Sequence, residues 1–142
     1  MARVQVQLPE RFSFSVEMPL LGIHINFGGH LDNALMLTLV SEARLRFIES
    51  IGYTWEDVAG VSIIIADAEI EYKSEGFYGD LVRVELAYDQ FHDKGFDMLW
   101  RISNVKTGAE IARGKQGTLT FDRTAKRVVA IPEELRSRLQ AL

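Results

Sequence analysis

The sequence contains no cysteine. That excludes a disulfide framework, a thiolate metal site and a cysteine nucleophile. Histidine is scarce: His24, His30 and His92 are all there are. His24 and His30 stand six residues apart, not at the His-x-x-x-His spacing that sets two ligands on one helix face. No metal or other cofactor is expected. There is no Gly-x-Ser-x-Gly elbow and no phosphate-binding glycine loop. Lys and Arg are scattered without a basic block, and the net charge is -4, which argues against a nucleic-acid partner. Long apolar runs are missing too. The most apolar stretch, Leu31 to Leu45, carries Asp32, Glu42 and Arg44 and is too short to span a bilayer. The first eleven residues carry Arg3, Glu10 and Arg11, unlike a secretion signal. A cytoplasmic protein with neither a nucleic-acid nor a membrane partner is expected.

What is present suits one packed domain over residues 1–142. Apolar residues make up 47% of the chain and charged residues 25%, an ordinary balance for a protein with a real core. Phe12, Phe14 and Val16 alternate with Ser13, Ser15 and Glu17, a strand signal that Pro19 limits. Leu20 to Phe27 reads as its continuation, up to a break at Gly28-Gly29. From about Leu31 to Ile51 the pattern is helical, with Leu31, Leu35, Leu39 and Ala43 on one face. Apolar residues extend almost all round it, so burial on most sides is expected. Asp32 or His30 is placed to cap its start, and Gly52 its end.

After Gly60 the chain turns to strands. Val61–Tyr72, Leu81–Tyr88, Phe96–Ile102 and Ile111–Phe121 alternate in turn, separated by turn residues. Val128–Ile131 is a short extended piece. Pro132 then opens an amphipathic helix over Glu133–Leu142. Strand, long helix and a run of antiparallel strands make an α+β layout. A helix apolar nearly all round needs a curved sheet wrapped around it.

Three motifs follow in order. The first is His24-Ile25-Asn26-Phe27-Gly28-Gly29-His30-Leu31-Asp32-Asn33-Ala34, with Ser41-Glu42-Ala43-Arg44 behind it. The second is Ala68-Glu69-Ile70-Glu71-Tyr72-Lys73, then Tyr78-Gly79-Asp80. The third is Ile131-Pro132-Glu133-Glu134-Leu135. Together they resemble the hot-dog-fold acyl-CoA thioesterases related to 4-hydroxybenzoyl-CoA thioesterase, across Phe12 to Leu139. The resemblance implies a curved antiparallel sheet around one long central helix. It implies hydrolysis of an acyl or aryl thioester of CoA or of a carrier protein. It further implies a homodimer or homotetramer with a pantetheine tunnel between subunits. The family's frequent catalytic Asp falls on Asn26, which cannot act as a general base, and its other loop Asp falls on His24. A non-catalytic acyl-thioester binding module is therefore the alternative.

Thioester hydrolysis needs an activated water, a donor for the carbonyl oxygen and a channel for the acyl chain. The carboxylate near the expected place is Glu42, matching the helix Glu of some such enzymes. Two roles are open to it: a base whose pKa burial raises, or an ion pair with Arg46 four residues on. Gly28 and Gly29 lead into a helix N-terminus whose first N–H groups lack internal partners and suit an oxyanion; alternatively they only turn the chain. His30 either polarises the carbonyl and holds a water, or caps the helix or bonds across a dimer. His24 could replace the loop carboxylate as base. Asn26 could orient a water or a carbonyl. Asn33 satisfies loop backbone groups or touches substrate, and the resemblance adds Tyr72 and Gly79 to the substrate-binding set. Lys73, Arg83, Lys94 and Arg113 either meet CoA phosphates or are simply solvated.

Overall fold

The computed structural model describes Met1–Leu142. Strand β1 (Phe14–Pro19) leads through a 3-10 turn (Gly22–His24) and a loop into helix α1 (Met36–Ser50). Strands β2 (Ser62–Tyr72), β3 (Leu81–His92), β4 (Gly95–Asn104) and β5 (Glu110–Asp122) follow, then a two-residue β6 (Arg127–Val128) and helix α2 (Glu133–Gln140). The sheet runs β1-β3-β4-β5-β2, antiparallel at every pairing, with β6 on β5. This is the α+β arrangement of a curved sheet against a long helix that the element order implies.

Alternation sets the inward face. Val82, Val84 and Leu86 of β3 lie opposite Asn104, Ile102 and Trp100 of β4. With Phe96 and Met98 these side chains, Asn104 excepted, are buried in one continuous core. Gly114 is required at its position: a Cβ there would run into the Trp100 ring, so the thinning of β5 makes room for the largest core side chain.

Two expectations change. The stretch Leu20–Phe27 does not continue β1. The chain folds into a 3-10 turn closed by His24 N–H to Leu21 O (2.9 Å) and Ile25 N–H to Gly22 O (3.2 Å). Regular helix starts at Met36 rather than Leu31. Asp32 caps an irregular first turn, its Oδ1 accepting from the N–H groups of Ala34 (2.8 Å) and Leu35 (3.1 Å) while its carbonyl accepts from Met36. These two bonds hold the Asp32 carboxyl below its ordinary pKa, the Leu35 bond contributing most.

Helix α1 is also less enclosed than its composition suggests. It packs on β3 and β1, burying Met36, Leu39, Val40, Ala43, Phe47 and Ile48. Leu37, Ser41 and Leu45, on the side away from β1, stay half-buried. Inward-facing residues of edge strand β2, Ile65 and Tyr72 among them, remain exposed. No helix is long and apolar enough to cross a membrane.

Candidate active site

The loop between β1 and α1 divides two clefts. The first, of about 550 Å³, lies between the β1 end with its 3-10 turn and α1. Apolar Met18, Leu21, Ile23, Leu35 and Leu39 line it, with His24, Thr38, Glu42 and Arg46 as its polar groups. The helix contributes positions 35, 38, 39, 42 and 46, one ridge at helical spacing. The second cleft, of about 280 Å³, lies between the helix start and the β2–β3 connection. His30, Asn33, Tyr72 and Lys73 bring its polar character.

The candidate residues are thus divided. Glu42 and His24 meet at the first cleft; His30, Asn33 and Tyr72 meet at the second. Asn26, Gly28 and Gly29 form the loop between them, and Gly79 lies in the β2–β3 turn with φ of +85°. Its N–H donates to Leu20 O at 2.9 Å, tying that turn to the end of β1.

Glu42 does both things that its position allows. Its carboxylate accepts from Arg46 Nε at 3.0 Å, and it lines the first cleft. It is not buried: 46% of the Glu42 side chain is accessible in the single chain. The burial invoked to tune it is therefore absent here.

The loop spends most of its donors internally. Asn26 Oδ1 accepts from Gly28 N–H (2.9 Å), and Asn26 Nδ2 donates to Asp32 Oδ2 (3.4 Å). Gly29 N–H donates to Asn26 O (3.0 Å). Ala34 and Leu35 N–H belong to Asp32. Most of the N–H groups expected to serve an oxyanion are therefore taken. Asn33 borders the second cleft, and its N–H meets no acceptor in the chain. Tyr72 reaches the same residue, its hydroxyl donating to Asn33 O at 3.0 Å.

The two histidines are held in opposite states. Leu21 N–H donates to His24 Nδ1 at 2.9 Å. A backbone N–H can only donate, so Nδ1 is the bare nitrogen and the neutral ring carries its proton on Nε2. His30 Nδ1 instead lies 3.2 Å from Leu31 O. A carbonyl can only accept, so His30 carries its proton on Nδ1 and offers Nε2 as an acceptor. Neutral His24 therefore donates, and His30 accepts. In that tautomer the nitrogen of His24 left without a partner, Nε2, is a donor and not the bare nitrogen a base needs.

Of the basic residues, Arg83 pairs with Glu17 (2.7 Å) and Arg113 with Glu110 (2.7 Å). Lys73 pairs with Glu71 (3.3 Å) and borders the second cleft. No group of three or more acidic or histidine side chains is gathered as metal ligands would be. The sequence pointed to Arg46 only as the ion-pair partner of Glu42, a pairing that is present, and gave no notice of Thr38 or of the apolar wall of the first cleft. The ridge spacing from Leu35 to Arg46 was the signal that could have found them.

No curated protein matches the sequence. Solved structures do. The 1,4-dihydroxy-2-naphthoyl-CoA thioesterase Slr0204 from Synechocystis superposes with a TM-score of 0.81 at 17% identity, covering 91% of this chain and 96% of its own. The DHNA-CoA thioesterase from Staphylococcus aureus gives 0.80 at 20% identity, covering 90% and 91%. At such identities the likeness shows a shared hot-dog fold. The sequence itself matches the model of the thioesterase-like superfamily over residues 22–139. That span takes in the His24–Ala34 loop, α1 with Glu42, the sheet from β2 to β6 and nearly all of α2, and on it the chain belongs to the thioesterase-like superfamily.

Proposed function

We propose that this protein hydrolyses an acyl-CoA thioester in the first cleft, with Glu42 as the base. The observation that carries the reading is the meeting of one carboxylate and one histidine at an apolar cleft large enough for an acyl group. Water lies between Glu42 and the thioester carbonyl. Glu42 takes a proton from the water as its oxygen bonds to the carbonyl carbon. The tetrahedral intermediate collapses, the C–S bond breaks, and the proton on Glu42 passes to the departing sulfur. Arg46 holds Glu42 in orientation between turnovers. The acyl chain lies along Met18, Leu21, Leu35 and Leu39.

Two copies of the chain complete this picture. Edge strand β2 with Ile65 and Tyr72 exposed, and the half-buried Leu37–Leu45 side of α1, are the surfaces we assign to a homodimer contact.

A panel of aliphatic and aryl acyl-CoA thioesters, followed by release of free thiol, tests the activity. Turnover of at least one member is expected. Saturable binding with no turnover of any member would instead identify a non-catalytic acyl-thioester binding protein.

A second reading rests on the unpaired Asn33 N–H and the acceptor Nε2 of His30. Both residues border the second cleft, which supports an oxyanion donor and a base there. In that reading His30 replaces Glu42, and His30→Gln, not Glu42→Gln, abolishes turnover.

A further inference from the structure

We infer that His24 is the oxyanion donor of the first cleft, supplying Nε2–H to the thioester oxygen. This rests on the reading that the first cleft is where the thioester reacts.

A cleft that stabilises a tetrahedral intermediate needs a donor that is free and already oriented. The polar groups of the first cleft are few enough to go through in turn. The Thr38 hydroxyl donates to Leu35 O at 2.6 Å. Arg46 commits Nε to Glu42, and its remaining N–H groups, though unpartnered, end a long side chain that is about half exposed and is not fixed in direction beyond that one bond. The helix-start N–H groups of Ala34 and Leu35 are held by Asp32. His24 Nε2–H has no partner in the chain, while its Nδ1 is fixed.

The ring is also well supported. His24 N–H donates to Leu21 O at 2.9 Å, and His24 O accepts from Asp32 N–H at 2.9 Å. Leu21 N–H then pins the imidazole itself. One residue therefore ties the 3-10 turn to the helix cap on its backbone side and to the turn on its ring side. The donor direction is set before substrate arrives, which makes such a donor effective in the transition state. No proton leaves His24 in this role. Nε2–H stays bonded to nitrogen while the oxygen gains and then loses charge, and Glu42 carries the transferred proton. One wall thus holds a donor and the helix holds a base.

Two measurements test it. The first reads the ring directly, without turnover: nitrogen-15 NMR of the imidazoles in the free protein. His24 is expected as the Nε2–H tautomer, with its Nε2–H resonance moving downfield on adding a CoA ketone analogue that has a methylene between sulfur and carbonyl. The Nδ1–H tautomer, or an unmoved resonance with the analogue bound, overturns the assignment. The second is kinetic. His24→Leu is expected to lower kcat roughly 100- to 1,000-fold with KM little changed, and His24→Gln, which keeps an N–H donor, to recover part of the loss. Circular dichroism checks that both variants fold; if His24→Leu does not, the NMR result alone decides.

An active wild type whose kcat survives His24→Leu overturns the donor role and leaves the hydrolase reading standing. A wild type that turns over no acyl-CoA overturns both.

Discussion

The two clefts beside the start of α1 share a loop but differ in chemistry. The first is apolar and holds a carboxylate, Glu42, with a histidine that donates. The second is smaller and more polar, and holds a free backbone N–H at Asn33 with a histidine that accepts. Each has one half of a hydrolytic pair from backbone or helix and the other half from a histidine. The difference teaches that the residue type alone does not set a histidine's role. Leu21 N–H and Leu31 O, two backbone groups of opposite sense, assign the protons.

The largest expected effect separates the clefts by their bases. Glu42→Gln keeps the shape and removes the proton acceptor, and kcat should fall roughly 100- to 10,000-fold, measured by steady-state thiol release. His30→Gln should change it by no more than a few-fold.

Next in size is the acyl wall. Leu35→Trp fills the first cleft and should raise KM for the longest accepted acyl chains by about tenfold, because loss of apolar contact discriminates on that scale. Equal KM values for short and long chains would remove Leu35 from the acyl path.

A smaller effect concerns the cap that both clefts share. Asp32→Asn should lower Tm by a few degrees at neutral pH. The folded-state pKa of Asp32 is depressed below its ordinary 3.8. Its stabilisation is therefore present above that value and is lost as pH falls through the depressed one. Wild type and Asp32→Asn should converge in Tm once the pH lies below the depressed value. A gap that stays constant with pH would mean that the carboxylate is not the cap.

The smallest effect is at the rim. Arg46→Gln removes an ion pair whose two side chains are both about half exposed. Stability should change by no more than about 0.5 kcal/mol in thermal unfolding. A larger loss would show that Arg46 is packed against a partner subunit.

Much of the fold was legible because alternation and glycine punctuation act locally. Val82, Val84 and Leu86 face inward as their spacing requires, and Asp32 caps the helix with the short side chain that such a position favours. The reading failed where tertiary geometry overrides pattern. Leu20 to Phe27 has strand-like composition but turns back on itself after Leu20, where His24 N–H bonds to Leu21 O and Ile25 N–H to Gly22 O instead of to a neighbouring strand. The apolar girth of α1 promised more enclosure than one chain supplies, since Leu37 and Leu45 are only half-buried within it.

The candidate residues could be picked out of the sequence one by one, but their division between two clefts could not. Glu42 and His24 are eighteen residues apart, and only the 3-10 turn folding back onto α1 brings them to one cleft. The histidine proton positions were beyond the sequence, because each depends on a single backbone hydrogen bond made by the folded loop.

Whether the thioester reacts in the cleft shared by Glu42 and His24 can be seen in a crystal structure of Glu42→Gln soaked with an acyl-CoA that wild type hydrolyses. The intact acyl chain is expected along Leu35 and Leu39, with the carbonyl oxygen within hydrogen-bond distance of His24 Nε2. A carbonyl found instead at Asn33 N–H beside His30 would contradict it.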